Sequence, residues 1–292
     1  MGLAPLRLTA LSLVLPIWLS AVTLAYAAAP PGPSRANQPP LPDTSQLLQR
    51  ALANEKKLAA DKERYECRVT DEFVETDSKG RVKHQSTEVN DQFYVNGIAI
   101  EHKLSKDGKD LTSEQAAKED QRVMKETLKY SNESAARKQT DKDNQQVQDL
   151  LEAMMLTNGH RLQVNGRSVL DYTIIPNPHF QARNLTQRFA QAMQGTMSVD
   201  EETGELIDLN VRSVQDLKIA GGLVANLHKG FWVHVHNQRQ ADGVWLTDLS
   251  EGTGDARAML FVHPYFRFKE TTGNCHLYTA TAAQVGSARA VQ

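Results

Sequence analysis

The sequence predicts an α+β fold in which a large, strongly curved antiparallel sheet carries helices in or over its concave face. Three patterns support this prediction. Apolar residues first recur at helical spacing, and from Tyr65 the period changes from 3.6 residues to two. Strand-like segments joined by short turns then follow one another, about eleven in all. A charged helical stretch, residues 111–156, interrupts them after the third strand. A sheet of this size must curl, and a helix fits its concavity.

The N-terminal part of the chain differs in composition from the rest. Behind Arg7, an apolar run ends in Ala-Tyr-Ala at 25–27, the layout of a secretory signal peptide spanning residues 1–27. A retained membrane anchor is the alternative, and Pro16 disfavours it. Residues 28–43 hold six of the eleven prolines and predict a disordered leader. We therefore expect an exported protein, periplasmic or secreted, without a transmembrane segment in the mature chain.

The first elements of the domain follow directly. Asp43, Thr44 and Ser45 offer an N-cap for a helix that runs to about residue 64. The stretch YECRVTDEFVE then alternates apolar and polar residues, and only Asp71 breaks its apolar face. After a turn at Gly80, VKHQSTEVNDQFYV returns as the paired strand, and IAIEHKL forms a third.

The helical insertion has two parts of different character. Residues 112–140 are charged and weakly periodic, so a solvated helix and a mobile segment are both open. The later part has the spacing of an amphipathic helix, carried by Val147, Leu150, Leu151 and Met154.

Strands resume after the insertion and continue almost to the end. They comprise HRLQV, SVLDYTIIP, the pair within GTMSVDEETGELIDLNVRSV, the hairpin 231–249, MLFVHPYFRFKE and NCHLYTA, with a short helix in RNLTQRFAQAM. We place one domain at 44–279 and a loose tail at 280–292.

Two cysteines, Cys67 and Cys275, lie in strand-like segments near the two ends of the domain. In an oxidising compartment they predict a disulfide, provided that the first and last strands are neighbours. Closing so long a loop contributes about 4–5 kcal/mol in the chain-entropy model. Two buried free thiols are the alternative.

Two histidines raise the question of a metal site. His234 and His236 share one face of the strand FWVHVHN, but zinc needs three or four ligands, and only Asp248 and His228 are further candidates. A solvent-facing hairpin explains the pair more simply. The cluster Asp200–Glu202 precedes Thr-Gly and is explained as a hairpin turn. The common hydrolase, nucleotide-binding and redox motifs are absent, so we predict no catalytic residue, no metal and no cofactor.

Apolar residues on the alternating faces point to the concave side if those faces line up. They either fill a core under the first helix or line a cavity that holds an acyl chain. The predicted set is Tyr65, Val69, Phe73, Phe231, Val233, Val235, Phe266, Phe268 and Leu277. The net charge of −2 offers no footprint for nucleic acid.

The order of elements and one local pattern resemble the outer-membrane lipoprotein carriers and receptors and the sorting-protein-like relatives around them. The pattern is the strand-turn-strand of GTMSVDEETGELIDLNV, carried by Gly195, Val199, Asp200, Thr203, Gly204 and Leu206. The resemblance implies an unclosed, eleven-stranded half-barrel with a helical lid over a hydrophobic cavity. No position matches the arginine that is characteristic of the carriers, so no residue's role is carried over.

These observations favour a non-enzymatic protein that binds a lipid or an acylated protein in its cavity, as a carrier or a sensor. The alternative is a protein-interaction module with a filled core, which contacts an envelope protein through the charged segment 111–156. A third hypothesis is a metal-dependent hydrolase using His234, His236 and a carboxylate. Cargo, partner and oligomeric state are not specified by the sequence.

Overall fold

The structure is a computed structural model that describes residues 39–219, 225–258 and 265–277. The predicted signal peptide, most of the proline-rich leader and the predicted C-terminal tail lie outside these ranges. All helices and strands below belong to the unit that begins at Leu41. No helix within the described ranges combines the length and apolar character needed to cross a bilayer.

Four helices are present in the described chain. They are α1 (Thr44–Lys62), α2 (Ser113–Ser131), α3 (Glu133–Ala153) and α4 (Leu185–Ala192). The predicted cap of α1 is confirmed, because the Asp43 carboxylate accepts a hydrogen bond from the Gln46 amide at 2.8 Å. The segment that the sequence left open is helical and divides at Asn132, whose side chain accepts from the Ala135 amide and starts α3.

Thirteen strands form the described sheet, and their bounds follow. They are β1 (Tyr65–Thr76), β2 (Val82–Val95), β3 (Ile98–Lys106), β4 (Lys109–Asp110), β5 (Met154–Val164), β6 (Arg167–Pro176), β7 (Met193–Asp200), β8 (Leu206–Ser213), β9 (Leu217–Ile219), β10 (Ala225–Leu227), β11 (Trp232–Arg239), β12 (Trp245–Ala258) and β13 (Tyr265–Leu277).

Eleven of these strands form one antiparallel path, in the order β4-β3-β2-β1-β13-β12-β11-β8-β7-β6-β5, and β9 and β10 lie off it. In the described chain, β4 and β5 are not paired with each other, so the sheet is an unclosed half-barrel, as predicted. One apolar cluster joins residues of both halves, from Leu156 of β5 to Phe268 of β13. Strands so far apart in the order share a core only when the sheet is strongly curved.

Several element boundaries differ from the prediction. Met154 and Met193 continue the helical spacing, yet each has extended backbone and begins a strand, paired with Pro176 and Ser213 respectively. Strand β5 therefore starts earlier than HRLQV; its register shifts between Thr157 and His160, which obscures the alternation. Strands β9 and β10, three residues each, are too short to show a period and were not predicted.

Strands β1 and β13 are neighbours, which was the condition for a disulfide between their cysteines. Cys67 and Cys275 are bonded, with an S–S distance of 2.11 Å. The bond lies where β1 and β13 shift register after Glu66. It ties the first strand of the domain to the last, across 208 positions of sequence.

Candidate functional site

An apolar cavity of about 390 Å³ lies between α1, α3 and the concave face of β5–β8. Its lining residues include Thr44 and Lys62, which are 62 − 44 = 18 positions apart in α1, or about 27 Å at the helical rise. The cavity is therefore elongated along this helix. Its apolar walls are Leu47 and Ala51 of α1, Val147, Leu150 and Leu151 of α3, and Met154, Leu156, Ile174, Met197, Val199, Leu206 and Leu209 of the sheet.

Helix α3 forms the outer wall of the cavity. Val147, Leu150 and Leu151 lie on one helical face. Val147 is 44% exposed, so the edge of this wall is partly open to solvent. The Asp149 carboxylate fastens α3 to α4 by accepting hydrogen bonds from Asn184 and from the buried Gln187, both at 2.9 Å. This one carboxylate is therefore a polar latch on an otherwise mainly exposed helix.

Helix α1 is held in place by the turn between β7 and β8. Gly204 has φ +77°, and a Cβ at this position would lie 2.8 Å from the backbone of both Leu47 and Ala51. Only glycine permits this backbone conformation and this close approach together. Arg50 donates a 2.7 Å hydrogen bond to the Glu201 carbonyl, which adds a polar contact beside the glycine.

The same turn is stabilised by its own side chains. The fully buried Asp200 accepts two hydrogen bonds from Arg167, at 2.6 and 2.9 Å, and one from the Thr203 amide. Burial alone would raise the pKa of Asp200, but these hydrogen bonds outweigh it and hold the pKa below its ordinary value. The interpretation of the acidic cluster as a structured turn is confirmed. Gly195 is the first residue of the strand-turn-strand pattern GTMSVDEETGELIDLNV. A Cβ at this position would lie 1.9 Å from the Asn210 carbonyl oxygen.

Four of the nine residues expected at the cavity lie in the apolar cluster that adjoins it. Phe231 packs against Phe189 of α4 and Phe266, with ring centroids 5.9 and 6.1 Å apart. Val233 and Phe268 pack against the same cluster. None of these four is a lining residue of the cavity.

The other five do not belong to this cluster, although Val235 is paired in the sheet with the lining residue Leu209. Tyr65 belongs to a separate cluster around the disulfide and donates a 2.6 Å hydrogen bond to Asp242. Val69 is fully buried, Phe73 is close to the His84 ring, and Val235 is half-buried. Leu277 was predicted to line the cavity, but it is 49% exposed at the end of β13, beyond the register shift.

The cavity-lining residues on β5–β8 were missed, although the alternation that marks them is present in the sequence. Met197 and Val199 alternate in β7, as do Leu170, Tyr172 and Ile174 in β6. Alternation identifies the inward face of a strand, but it does not say which strands a helix will cover. The predicted residues lie on or beside β1, β11 and β13, whereas the sheet residues that line this cavity lie on or between β5, β6, β7 and β8.

The concave face of the other half of the sheet carries carboxylates. Asp71, Glu101 and Glu270 lie on the inward side of β1, β3 and β13, and all three have raised pKa values. Burial is the first cause for each. Repulsion from Glu88 adds to it at Asp71, and repulsion within the group adds to it at Glu101 and Glu270. Asp71, the residue that broke the apolar pattern, accepts a 2.6 Å hydrogen bond from the buried Asn90.

The two histidines lie on the convex face, where each meets different carboxylates. His234 contacts Asp208 through Nε2 at 2.8 Å and Glu251 through Nδ1 at 3.3 Å, while His236 contacts Asp248 at 2.6 Å. Burial lowers the pKa of His234, but the two carboxylates outweigh it and raise the pKa, because both ring nitrogens then donate. The described ranges contain no cluster of three or more residues that could hold a metal ion.

Comparisons with known proteins add one likeness. No protein-family model matches the chain, and no curated protein matches it. Among solved structures, the chain is similar to the "putative outer membrane lipoprotein-sorting protein domain" from Vibrio parahaemolyticus, with 11% identity and a TM-score of 0.31. The match covers 85% of this chain and 99% of that one. A likeness at this level of identity is no evidence of a shared family or ligand.

Proposed function

We propose that the cavity between α1, α3 and β5–β8 binds one acyl chain of a lipid or of a lipid-modified protein, and that the protein is a non-enzymatic carrier or sensor. The observation that supports this most directly is the cavity itself, which is elongated and mostly apolar along its walls. Transfer of an acyl chain from water into such a space is favourable without any catalytic group.

The volume sets the length of chain that fits. A methylene occupies roughly the volume of a water molecule, about 30 Å³, so 390 Å³ holds about 13 methylenes. At about 0.8 kcal/mol each, their transfer supplies about 10 kcal/mol. Subtracting an association cost of at least about 4 kcal/mol leaves at most about 6 kcal/mol, so the tightest expected Kd is tens of micromolar.

Movement of α3 would admit the chain. This helix covers the cavity, has few buried residues and is held to α4 through Asp149. The short, polar latch can open without disrupting the sheet, and the apolar face of α3 would then close on the ligand.

The proposed setting is the periplasm or the extracellular space. The signal-peptide pattern of residues 1–27 supports export, and the disulfide between Cys67 and Cys275 suits an oxidising compartment.

Native mass spectrometry and titration with saturated fatty acids of increasing length test the proposal. Each added methylene should tighten binding about fourfold until the chain reaches about 13 methylenes, and longer chains should gain nothing further. Affinity independent of chain length would contradict binding in this cavity.

A matched pair of variants locates the binding site. Leu150→Glu places a charge in the cavity wall and should abolish binding, whereas Leu128→Glu, the same change at a 68% exposed position of α2, should not. Val147→Glu, at the edge of the cavity, repeats the test at a more exposed position if Leu150→Glu is unstable. Circular dichroism of each variant verifies the fold.

A second function is favoured by the surface of α2. This helix has no buried residue, and Met124 and Leu128, one turn apart, are 50% and 68% exposed. We infer that this apolar pair, on a charged helix, would be the contact surface for a protein partner. A partner lost with Leu128→Glu, from a protein that takes up no lipid, would establish this function in place of the first.

A further inference from the structure

A cleft of about 620 Å³, lined mainly by polar and charged residues, lies beside the apolar cavity. It is bounded by the C-terminal end of α1, the turn between β2 and β3 and the N-terminal half of α3. Glu63 of this cleft accepts a 3.1 Å hydrogen bond from the Gly97 amide, which ties the β2–β3 turn to the end of α1. The cleft therefore has walls from three elements that are held together.

The cleft and the cavity share two lining residues, Lys62 and Asn144. Lys62 ends α1, and Asn144 lies near the middle of α3, so the two spaces meet between these helices. One is mainly apolar and the other carries most of the charged groups. An amphiphile can place its chain in the cavity and its polar group in the cleft.

Cations and carboxylates line the cleft in a mixed arrangement. Lys62 of α1 and Arg137 of α3 are the two cations, and Glu133 and Asp141 of α3 are carboxylates beside them. Among the residues that the structure describes, neither cation forms an ion pair. Two cations from different elements, both available at one cleft, are suited to a phosphate group.

We propose that the cleft binds the phosphoethanolamine headgroup of a single-chain phospholipid whose acyl chain fills the apolar cavity, a proposal that rests on the function proposed above. Lys62 and Arg137 donate charge-assisted hydrogen bonds to the phosphate oxygens. Glu133 and Asp141 accept from the ammonium group. A purely anionic headgroup would leave these carboxylates facing a negative charge. An uncharged headgroup would form no ion pair with either the two cations or the two carboxylates.

Calorimetric titration with three probes tests this assignment. The probes are lysophosphatidylethanolamine with one myristoyl chain, monomyristoylglycerol with the same chain, and glycerophosphoethanolamine, which is the headgroup without a chain. Lysophosphatidylethanolamine should bind about tenfold more tightly than monomyristoylglycerol, because charged hydrogen bonds are added. The headgroup alone should bind far more weakly than either.

Arg137→Gln and Lys138→Gln form a matched pair of variants. They remove the same charge at neighbouring positions of α3, but only Arg137 lines the cleft. Arg137→Gln should remove most of the tenfold preference and leave monomyristoylglycerol binding unchanged, and Lys138→Gln should change neither.

The outcomes separate this proposal from the previous one. Equal affinity for both acylated probes in the unmodified protein would overturn the headgroup site and leave the acyl cavity intact. Equal affinity for the lipid and the free headgroup would show a phosphate-compound site that is independent of any chain. Failure of every acylated probe to bind would overturn the acyl cavity itself.

Discussion

Replacing Gly204 by alanine should separate the helix α1 from the sheet that it covers. An alanine Cβ here would lie 2.8 Å from the Ala51 nitrogen and the Leu47 oxygen, and both atoms belong to the backbone of α1. A helix backbone cannot yield locally without losing its hydrogen bonds, so α1 has to move as a whole.

Two contributions set the expected loss of stability. The positive φ of +77° costs a non-glycine residue about 1 kcal/mol. Displacement of α1 partly exposes Leu47, which is 5% exposed in the intact fold, and its full burial is worth about 1.5–3 kcal/mol. Together they predict a decrease of about 2–4 kcal/mol in the free energy of unfolding.

Gly80 provides the matched control. Its φ is +74°, and a Cβ there would meet nothing within 4 Å, so Gly80→Ala should cost only the conformational part, about 1 kcal/mol. Urea denaturation of both variants measures the difference, and fatty-acid titration should show weaker binding for Gly204→Ala alone. Equal destabilisation of the two variants would refute the role assigned to the contact with α1.

Two further predictions concern the carboxylates. Glu270→Gln removes a charge from the half-buried group of Asp71, Glu101 and Glu270. Because burial and Asp71 raise the pKa of Glu270 in the folded state, its ionisation lowers stability as the pH rises through its ordinary value of 4.5 and then its raised native value. Because Glu270 is only half-buried and water screens its repulsion, the variant should gain about 0.5 kcal/mol at neutral pH and lose stability less steeply above pH 4.5. Thermal melts at several pH values measure this, and a dependence of stability on pH parallel to that of the unmodified protein would contradict it. Asp149→Asn should weaken the latch between α3 and α4 by about 1–3 kcal/mol, because an amide cannot accept both hydrogen bonds of the carboxylate; hydrogen exchange should accelerate in α3, and unchanged protection there would exclude the latch.

Local patterns were sufficient for most of the secondary structure. The alternation that starts at Tyr65 and the turn at Gly80 predict the first hairpin, since both depend on residues within a few positions of each other. Asp200, Thr203 and Gly204 likewise form a turn through contacts within one short segment. Where a helix leads directly into a strand, as at Met154, the apolar spacing predicted the wrong boundary between the two elements. An apolar residue at that position fits the period of the helix and the period of the strand.

The location of the cavity was decided by tertiary structure. Phe231, Val233 and Phe266 have the inward alternation expected of cavity residues, and they pack into the cluster next to the cavity. Helix α3 ends at Ala153 and β5 begins at Met154 without a linker, so α3 folds back over the strands that follow it. A residue's face is a local property that the sequence determines. Which strands a helix covers depends on the path of the whole chain, and only the tertiary structure placed α1 and α3 over β5–β8.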